Sequence, residues 1–361
     1  MNRDNKIICI RPRCENPENE DRLVEAINYA LEGVSVEYIT TAQELDEANL
    51  RKKRILFAIN LGDSGINLEY YRMLKIIRLK RHKFDGSVGG AVVDGHSELF
   101  TKSFSRQLVF SANRSGCTFV GRPLVEGTET MLNFNVVSKI MNTEKMDAYK
   151  QSCRELVEKL LAYEDIKVQR PKILAINAST SEKYSNTLLL WNMIKKNLED
   201  CDVMDISIRD GEIWDCRGCS YETCLHFGEN QQCFYGGVIT DQVYPSIMEC
   251  DALVMLCPNY NDAVSANLTA CINRLTSLYR VADFSAKKLF AVIVSGYSGS
   301  DIVAQQLISA LNMNKSFVLP PRFAIMETAN NPQSIKRVQG INENASEFAH
   351  NMMKSLIEDY D

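Results

Sequence analysis

The chain has 361 residues, 45% of them hydrophobic and 24% charged, with a formal net charge of −5. That length suggests about two domains, and that balance belongs to a globular chain with material for two cores, not to a disordered or fibrous one. The basic stretches are short, RKKR at 51–54 and RLKRHK at 78–83, and read as solvated faces, so composition speaks against nucleic acid as a partner.

The opening MNRDNK leads into only IICI, too short for the apolar core of a secretory signal. Apolar runs elsewhere are strand-sized, as at 289–294, so no membrane span is expected. Twelve cysteines in such a chain point to a reducing compartment, and the expected location is cytoplasmic.

Short apolar runs alternate with amphipathic stretches. The first half predicts strand 6–10, helix 23–31, strands 35–39 and 55–60, helix 69–79, strand 90–94, helix 103–112 and a short strand near Phe119. The second predicts strand 172–176, helix 187–198, strands 203–208 and 252–257, helix 266–278, strand 289–295, helix 302–311 and a short strand near Phe317. Each half closes on an amphipathic helix, 148–162 and 345–357. Wording repeats as well: AVVDGHS at 91–97 echoes VIVSGYS at 292–298, and FVGRPLVEGT at 119–128 echoes FVLPPRFAIMET at 317–328. Apolar strands alternating with helices build parallel sheets covered on both faces. The expected fold class is α/β. Two tandem doubly wound parallel sheets that resemble flavodoxin, with order 2-1-3-4-5, would occupy 1–165 and 166–361.

The halves differ after their opening strands. In the first, RPRCENPENED at 11–21 fills a helix start with Glu15, Glu18, Glu20 and Asp21. Carboxylates there satisfy the helix dipole themselves and repel a phosphate, so this half reads as a degenerate copy surviving as a partner surface. In the second, KILAINASTSEKYSNTLLL at 172–190 runs from a strand into a loop of hydroxyls and amides that opens a helix. Ser179, Ser181, Ser185, Asn186 and Thr187 converge with unpaired backbone N–H groups at the positive end of a helix dipole, which suits a phosphate. The loop is neither a dinucleotide glycine fingerprint nor a Walker loop; an ordinary capped helix is the other reading.

Ligands of doubly wound sheets sit beyond the carboxyl ends of the strands where strand order reverses. Two further loops fall on that edge. CPNYNDAVSANL at 257–268 offers Pro258 to fix the exit, Tyr260 to stack, Asn259 and Asn261 to hydrogen-bond a heterocycle, and Ser265 to cap the next helix. SGYSGSD at 295–301 offers its glycines, Gly296 and Gly299, for close backbone approach, with Tyr297 and Ser298.

Ser179 to Thr187, the P-x-Y loop and the following S-A-N-L…N-R (265–268, 273–274) resemble the NADPH-dependent FMN reductase family and related iron–sulfur flavoproteins, over 172 to about 326. The two-half arrangement also resembles tandem NAD(P)H-dependent oxidoreductases of anaerobic bacteria. The resemblance implies FMN as cofactor. Ser179, Ser181, Ser185, Asn186 and Thr187 would hold its phosphate, and Pro258, Asn259, Tyr260, Asn261, Ser265, Gly296, Tyr297 and Ser298 would frame the isoalloxazine. It further implies a flavin bound at a subunit interface, with the first half as the covering neighbour within the chain or across a homodimer. The chain departs from the family at 177–181, which lacks the usual Gly and Arg.

An insertion at 209–249 carries DCRGCSYETCLHFGENQQC, placing Cys216, Cys219, Cys224 and Cys233 at spacing C-x2-C-x4-C-x8-C. Four thiolates in a compact loop can hold an iron–sulfur cluster, such as a 4Fe–4S cluster, or zinc; the C-x-x-C step can also be a redox dithiol, and the whole a loop without metal. Iron–sulfur flavoproteins carry such a set here, with shorter second and third gaps. Cys9, Cys153, Cys201, Cys250, Cys257 and Cys271 read as core residues. His96 and Asp94 read as polar loop residues or a catalytic pair, while His82 and His350 carry no signal.

The expected activity is an NAD(P)H-dependent flavin oxidoreductase in which hydride passes from a transient nicotinamide to the flavin and on to a quinone, an azo or nitro compound, or free flavin. The cofactor carries that chemistry, so no catalytic side chain is required. The alternative is a flavin, or flavin and cluster, electron carrier serving a ferredoxin-type partner. A third reading is a non-enzymatic scaffold.

Overall fold

The structure is a computed structural model that describes residues 6–15, 20–179, 183–209, 213–358 and 360. The chain forms two compact units, Met1–Glu164 and Asp165–Asp361.

The first unit runs β1 (Lys6–Ile10), α1 (Asp21–Ala30), β2 (Ser35–Ile39), α2 (Ala42–Glu47), β3 (Arg54–Asn60), α3 (Leu68–Leu79), β4 (Val88–Asp94), α4 (Thr101–Arg114), β5 (Thr118–Gly127), α5 (Asn135–Met141) and α6 (Lys145–Ala162). Its sheet is parallel, in the order β2-β1-β3-β4-β5. Every residue of β4 is buried and β3 is buried almost throughout, as a central strand covered on both faces must be. Edge strand β2 buries only Ile39 of its five residues. Helix α2 escaped the sequence reading, although Thr41 and Glu44 form a capping box that starts it.

The second unit runs β6 (Lys172–Asn177), α7 (Asn186–Lys195), β7 (Asp202–Ser207), α8 (Tyr221–Glu229), α9 (Tyr244–Glu249), β8 (Ala252–Asn259), α10 (Ala266–Tyr279), β9 (Lys288–Ser295), α11 (Ser300–Leu307), β10 (Ala324–Thr328) and α12 (Ile341–Leu356). Its order, β10-β9-β8-β6-β7, is the expected 2-1-3-4-5 read from the other edge. Trp191 of α7 is buried in a core that includes Ile173, Val254, Phe290 and Phe348. The buried Lys288 donates to Asp165, to the carbonyl of Ile166 and to that of Ser355, fastening the start of this unit under the base of β9.

The expected strand near Phe317 is a single bridge, Lys288↔Val318, and the sheet strand is β10 beyond it. Pro320 and Pro321 have no N–H to give a ladder, and Arg322 is left-handed at φ 51, so the chain leaves the sheet before returning. The first unit makes the same excursion. There β5 begins at Val88↔Thr118, passes a left-handed Arg122 (φ 52) and Pro123, and resumes at Ala91↔Leu124. A buried asparagine braces each excursion, Asn113 donating to the carbonyl of Cys117 and Asn312 to that of Phe317. Helix 302–311 also differs: α11 ends at Leu307 and a π turn, Ile308–Met313, carries the chain to Asn312.

Candidate functional site

The crevice lies where β6 and β8 part. Their last pair is Asn177↔Leu256, whereas β8 stays beside β9 to Asn259↔Ser295. Pro258 sits beyond the last β6–β8 pair, where its missing N–H costs the ladder nothing on that side.

After β8 the chain turns tightly. Tyr260 bridges Ala263, and the Ala263 N–H donates to the Tyr260 carbonyl at 3.2 Å. The two residues between, Asn261 (φ 55) and Asp262 (φ 56), are both left-handed, a conformation that Asn and Asp accept more readily than other side chains. The turn leaves the Tyr260 ring exposed. Gln306 of α11 clamps it, donating to the Asp262 carbonyl at 2.9 Å and accepting from Val264 N–H at 3.0 Å.

Asn259 ties this turn to the next loop. Its Nδ2 donates to Ser295 Oγ (2.9 Å), Asp262 Oδ1 (3.1 Å) and the Ser298 carbonyl (3.1 Å). Its Oδ1 is buried and has no hydrogen-bond partner among the described residues. Ser265 stands at the N-cap of α10, but its hydroxyl makes no capping bond and is likewise buried without a partner. This corrects the expectation that Ser265 caps the helix. Asn267, two residues on, donates to the Ile208 carbonyl at 2.8 Å and ties α10 to the chain just past β7.

In the loop after β9, Tyr297 is 80% exposed, and its hydroxyl accepts from Asn330 Nδ2 at 2.9 Å. A Cβ on Gly296 would meet Asn330 Oδ1 at 3.0 Å. Gly299, the other glycine of SGYSGSD, is the stricter position. It is left-handed at φ 89, and a Cβ there would lie 1.8 Å from Asp262 Oδ1 and 3.0 Å from Asn259 Nδ2.

On the β6 side, Ser179 is buried, its N–H donates to Asn177 Oδ1 at 3.3 Å, and its Oγ lies 3.2 Å from Ser185 Oγ. Ser185 caps α7, accepting from Leu188 N–H at 3.3 Å. Thr187 is buried in the first turn, and Ser181 lies outside the described residues. Asn186 corrects another expectation, because its side chain is spent inside the protein. Nδ2 donates to the Ala329 and Asn331 carbonyls, both at 2.9 Å, and Oδ1 accepts from Ile335 N–H at 3.2 Å. What remains for an anion is the Ser179–Ser185 hydroxyl pair and the first-turn N–H groups of α7, which a helix leaves without intrahelical partners.

Among the described residues, the corresponding edge of the first unit is crossed by an ion pair, although Glu20 Oε1 at the start of α1 is buried without a hydrogen-bond partner. Arg22 of α1 grips the buried Asp94 with both arms, Nη2 to Oδ1 at 2.7 Å and Nε to Oδ2 at 2.9 Å. It also donates to the Thr128 and Gly95 carbonyls at 3.0 Å, and Tyr149 donates to Asp94 Oδ2 at 3.1 Å. His96 lies 3.2 Å from Asp63 Oδ1, whereas Asp94 is held by Arg22 and Tyr149. Where Ser265 leaves its hydroxyl unspent, Asn67 of the first unit caps α3 through Tyr70 N–H (2.8 Å) and donates to the Asn60 carbonyl (3.0 Å).

The cysteine segment does not gather. No group of three or more His, Cys, Asp or Glu side chains among the described residues is arranged to hold a metal ion, and Cys216, Cys219, Cys224 and Cys233 are all free. The physical reason is α8. Ser220 caps it at 3.2 Å through Thr223 N–H, and it carries Cys224 on a helical turn where a wrapping loop was expected. Aromatic rings and arginines surround the segment instead, with Arg217 over Trp214 and Tyr235, and Arg280 over Tyr221. Among the described residues no helix is long and apolar enough to cross a membrane.

The family described as NADPH-dependent FMN reductase matches residues 171–331. No curated protein matches the chain. Among solved structures, RosB is 16% identical over 52% of this chain and 79% of its own, with a TM-score of 0.38. An azoreductase from Bacillus anthracis Sterne is 14% identical over 50% and 96%, with a TM-score of 0.35. An NAD(P)H:quinone oxidoreductase from Methanothermobacter marburgensis is 15% identical over 51% and 96%, with a TM-score of 0.35.

Proposed function

We propose that the protein is an NAD(P)H-dependent flavin oxidoreductase, as the match of residues 171–331 to the NADPH-dependent FMN reductase family supports, and that the β6–β8 crevice holds FMN, which would supply hydride acceptance from a reduced nicotinamide and electron release to a small-molecule acceptor such as a quinone, an azo or nitro compound, or free flavin. The observation that carries the reading is the Ser179–Ser185 hydroxyl pair at the start of α7, beside the point where β6 and β8 part.

In this reading Ser179 and Ser185, with the α7 N-terminus and the neighbouring Ser181, hold the phosphate. Thr187 supports them from the first turn, and Asn186 contributes through its backbone alone. Pro258 and Gly296 keep the backbone close to the ring, while Asn261 and Asp262 hold the turn that presents Tyr260. The exposed rings of Tyr260 and Tyr297 and the backbone at Ser298 flank the space that a nicotinamide visits and leaves. These residues orient and desolvate; none needs to act as acid or base. We place the protein in the cytoplasm, since its twelve cysteines are suited to a reducing compartment.

The test is anaerobic mixing of the FMN-loaded chain with NADH or NADPH, following the visible flavin absorption. Bleaching with either nucleotide, reversed by a quinone or azo dye, is expected; no bleaching with both removes the reading. Bound iron together with flavin that never oxidises a nicotinamide would instead place the chain among electron carriers for a ferredoxin-type partner.

A further inference from the structure

The two short basic stretches of the sequence, 51–54 and 78–83, meet in the first unit. Their outer ends are spent on the protein, Arg54 Nε donating to the Leu160 carbonyl at 3.0 Å and Arg78 Nε to Ser111 Oγ at 3.4 Å. Between those ends, both stretches line one hollow of about 360 Å³. One wall is 48–51, which joins α2 to β3, and the other is 80–83, which follows α3. The hollow therefore lies at the edge where β3 and β4 begin, opposite the edge where Asn60 and Asp94 end them.

Charge is what this hollow offers. Arg51, Lys80, Arg81 and Lys83 line it together with His82, and among the described residues no acidic side chain does. Two carboxylates stand nearby: Asp46 pairs with Lys80, and Asp85 Oδ2 lies 2.8 Å from His82 Nδ1. Arg51 and Lys83 make no ion pair among the described residues. Arg51 Nε donates to the His82 carbonyl at 3.1 Å, and the buried Lys83 donates to the carbonyls of Asp46 (3.0 Å) and Ala48 (2.6 Å). Burial holds the Lys83 ammonium below the usual lysine range, and neighbouring Lys80 pushes the same way. An anion in the hollow would relieve that repulsion.

The walls are fixed by the protein itself. Ser87 Oγ donates to the Leu50 carbonyl at 2.5 Å and accepts from Lys53 N–H at 2.9 Å. Lys52 N–H donates to the Asp85 carbonyl at 3.0 Å, and the Ser115 hydroxyl donates to the Lys80 carbonyl. Backbone held this way loses little freedom when a ligand arrives. No Phe, Tyr or Trp among the described residues lines the hollow, so it presents charge without a platform for a stacked base.

We propose that this hollow binds a compact, multiply charged phosphate ligand, a diphosphate either free or carried by a nucleotide. Arg51 and Arg81 grip its oxygens with their planar forks, and Lys80 and Lys83 supply charge behind them. The proposal is independent of the FMN reading and concerns a different unit of the chain.

The test is calorimetric titration of the full-length chain with pyrophosphate at physiological salt, with and without FMN. One pyrophosphate per chain is expected in both conditions, with inorganic phosphate binding several-fold more weakly. Both arginines are exposed, so Arg51→Gln and Arg81→Gln should leave the fold intact, and each should weaken pyrophosphate about tenfold. Lys139→Gln, which removes one charge from the exposed face of α5, should bind like wild type. ADP separates the two sources: affinity equal to or above that of pyrophosphate upholds the proposal for a nucleotide-borne diphosphate, and lower affinity upholds it for the free one. No heat at millimolar pyrophosphate overturns the proposal. So does binding that FMN abolishes, which places the anion at the other unit, and so does a loss in Lys139→Gln equal to that in the arginine variants, which marks an effect of net charge alone.

Discussion

Replacing Gly299 by alanine tests the geometry of the site through two separable costs. The first is backbone: a side chain at φ 89 incurs about 1–2 kcal/mol that glycine avoids. The second is contact. The new Cβ would stand 1.8 Å from Asp262 Oδ1, where ordinary contact begins at 3.4 Å. Asp262 is exposed and can swing clear, but doing so breaks its 3.1 Å hydrogen bond from Asn259, worth about 1 kcal/mol. Gly299→Ala should therefore destabilise the second unit by about 2–3 kcal/mol. Urea titration followed by tryptophan fluorescence isolates that unit, because both tryptophans, Trp191 and Trp214, belong to it. In an Asp262→Ala background the clash with Asp262 and the hydrogen bond it costs are gone, while the backbone cost and the 3.0 Å approach to Asn259 Nδ2 stay; about 1–2 kcal/mol should remain, giving a coupling of about 1 kcal/mol. Equal losses in both backgrounds would refute the contact. A loss under about 0.5 kcal/mol in the wild-type background would refute the left-handed backbone.

Arg22→Met should strand the buried Asp94 carboxylate at a cost of about 3–5 kcal/mol. Far-UV dichroism should then show an early unfolding step that tryptophan fluorescence, blind to the first unit, does not; coincident wild-type-like curves would contradict the role of this ion pair. Since the Arg22–Asp94 ion pair crosses the first edge, FMN extracted from saturated protein should amount to one molecule per chain, and a value near two would contradict that reading. Burial pushes the thiols of Cys9, Cys250, Cys257 and Cys271 up to about 12. A thiol whose pKa is raised stays protonated at lower pH, so at pH 8 only about one in ten thousand of each is the reactive thiolate. Brief alkylation read by mass spectrometry should mark the exposed Cys216 and spare those four, and equal labelling of Cys257 and Cys216 would contradict the burial.

The sheets were legible because their strands are continuous apolar runs: ILFAIN and LVMLC can be little else, and the helices between them enforce parallel pairing. The last strand of the second unit was misplaced by the apolar FVL at 317–319, which the prolines after it pull out of the sheet. Site residues were legible as types but not as states. Nothing in the string NTLLL shows that the Asn186 amide reaches the backbone at Ala329, Asn331 and Ile335, nearly 150 residues on. The serine before ANL has the look of a cap, and only the path of the chain shows that its hydroxyl is left over. The cysteine spacing suggested a common centre, but spacing is blind to a helix forming between the second and fourth cysteines.

The two units carry one backbone plan with opposite polar accounting at the ligand edge. Asn60 and Asp94 end the paired strands β3 and β4, and Asn259 and Ser295 end the paired strands β8 and β9. The opening helix of each unit then reaches the carbonyl just past the last strand, through Arg22 to Thr128 in one and Asn186 to Ala329 in the other. Asp94 in the first unit draws an arginine and a tyrosine into the edge, and charge satisfies charge. Ser295 in the second is neutral, its hydroxyl meeting Asn259 and Ser300, and demands no cation. Without that cation the edge retains a hydroxyl pair at the α7 N-terminus and two unspent atoms at the β8–α10 loop. A difference of one acidic side chain at the end of a central strand thus divides an edge whose carboxylate is met by an arginine and a tyrosine from one lined by neutral hydroxyls and amides.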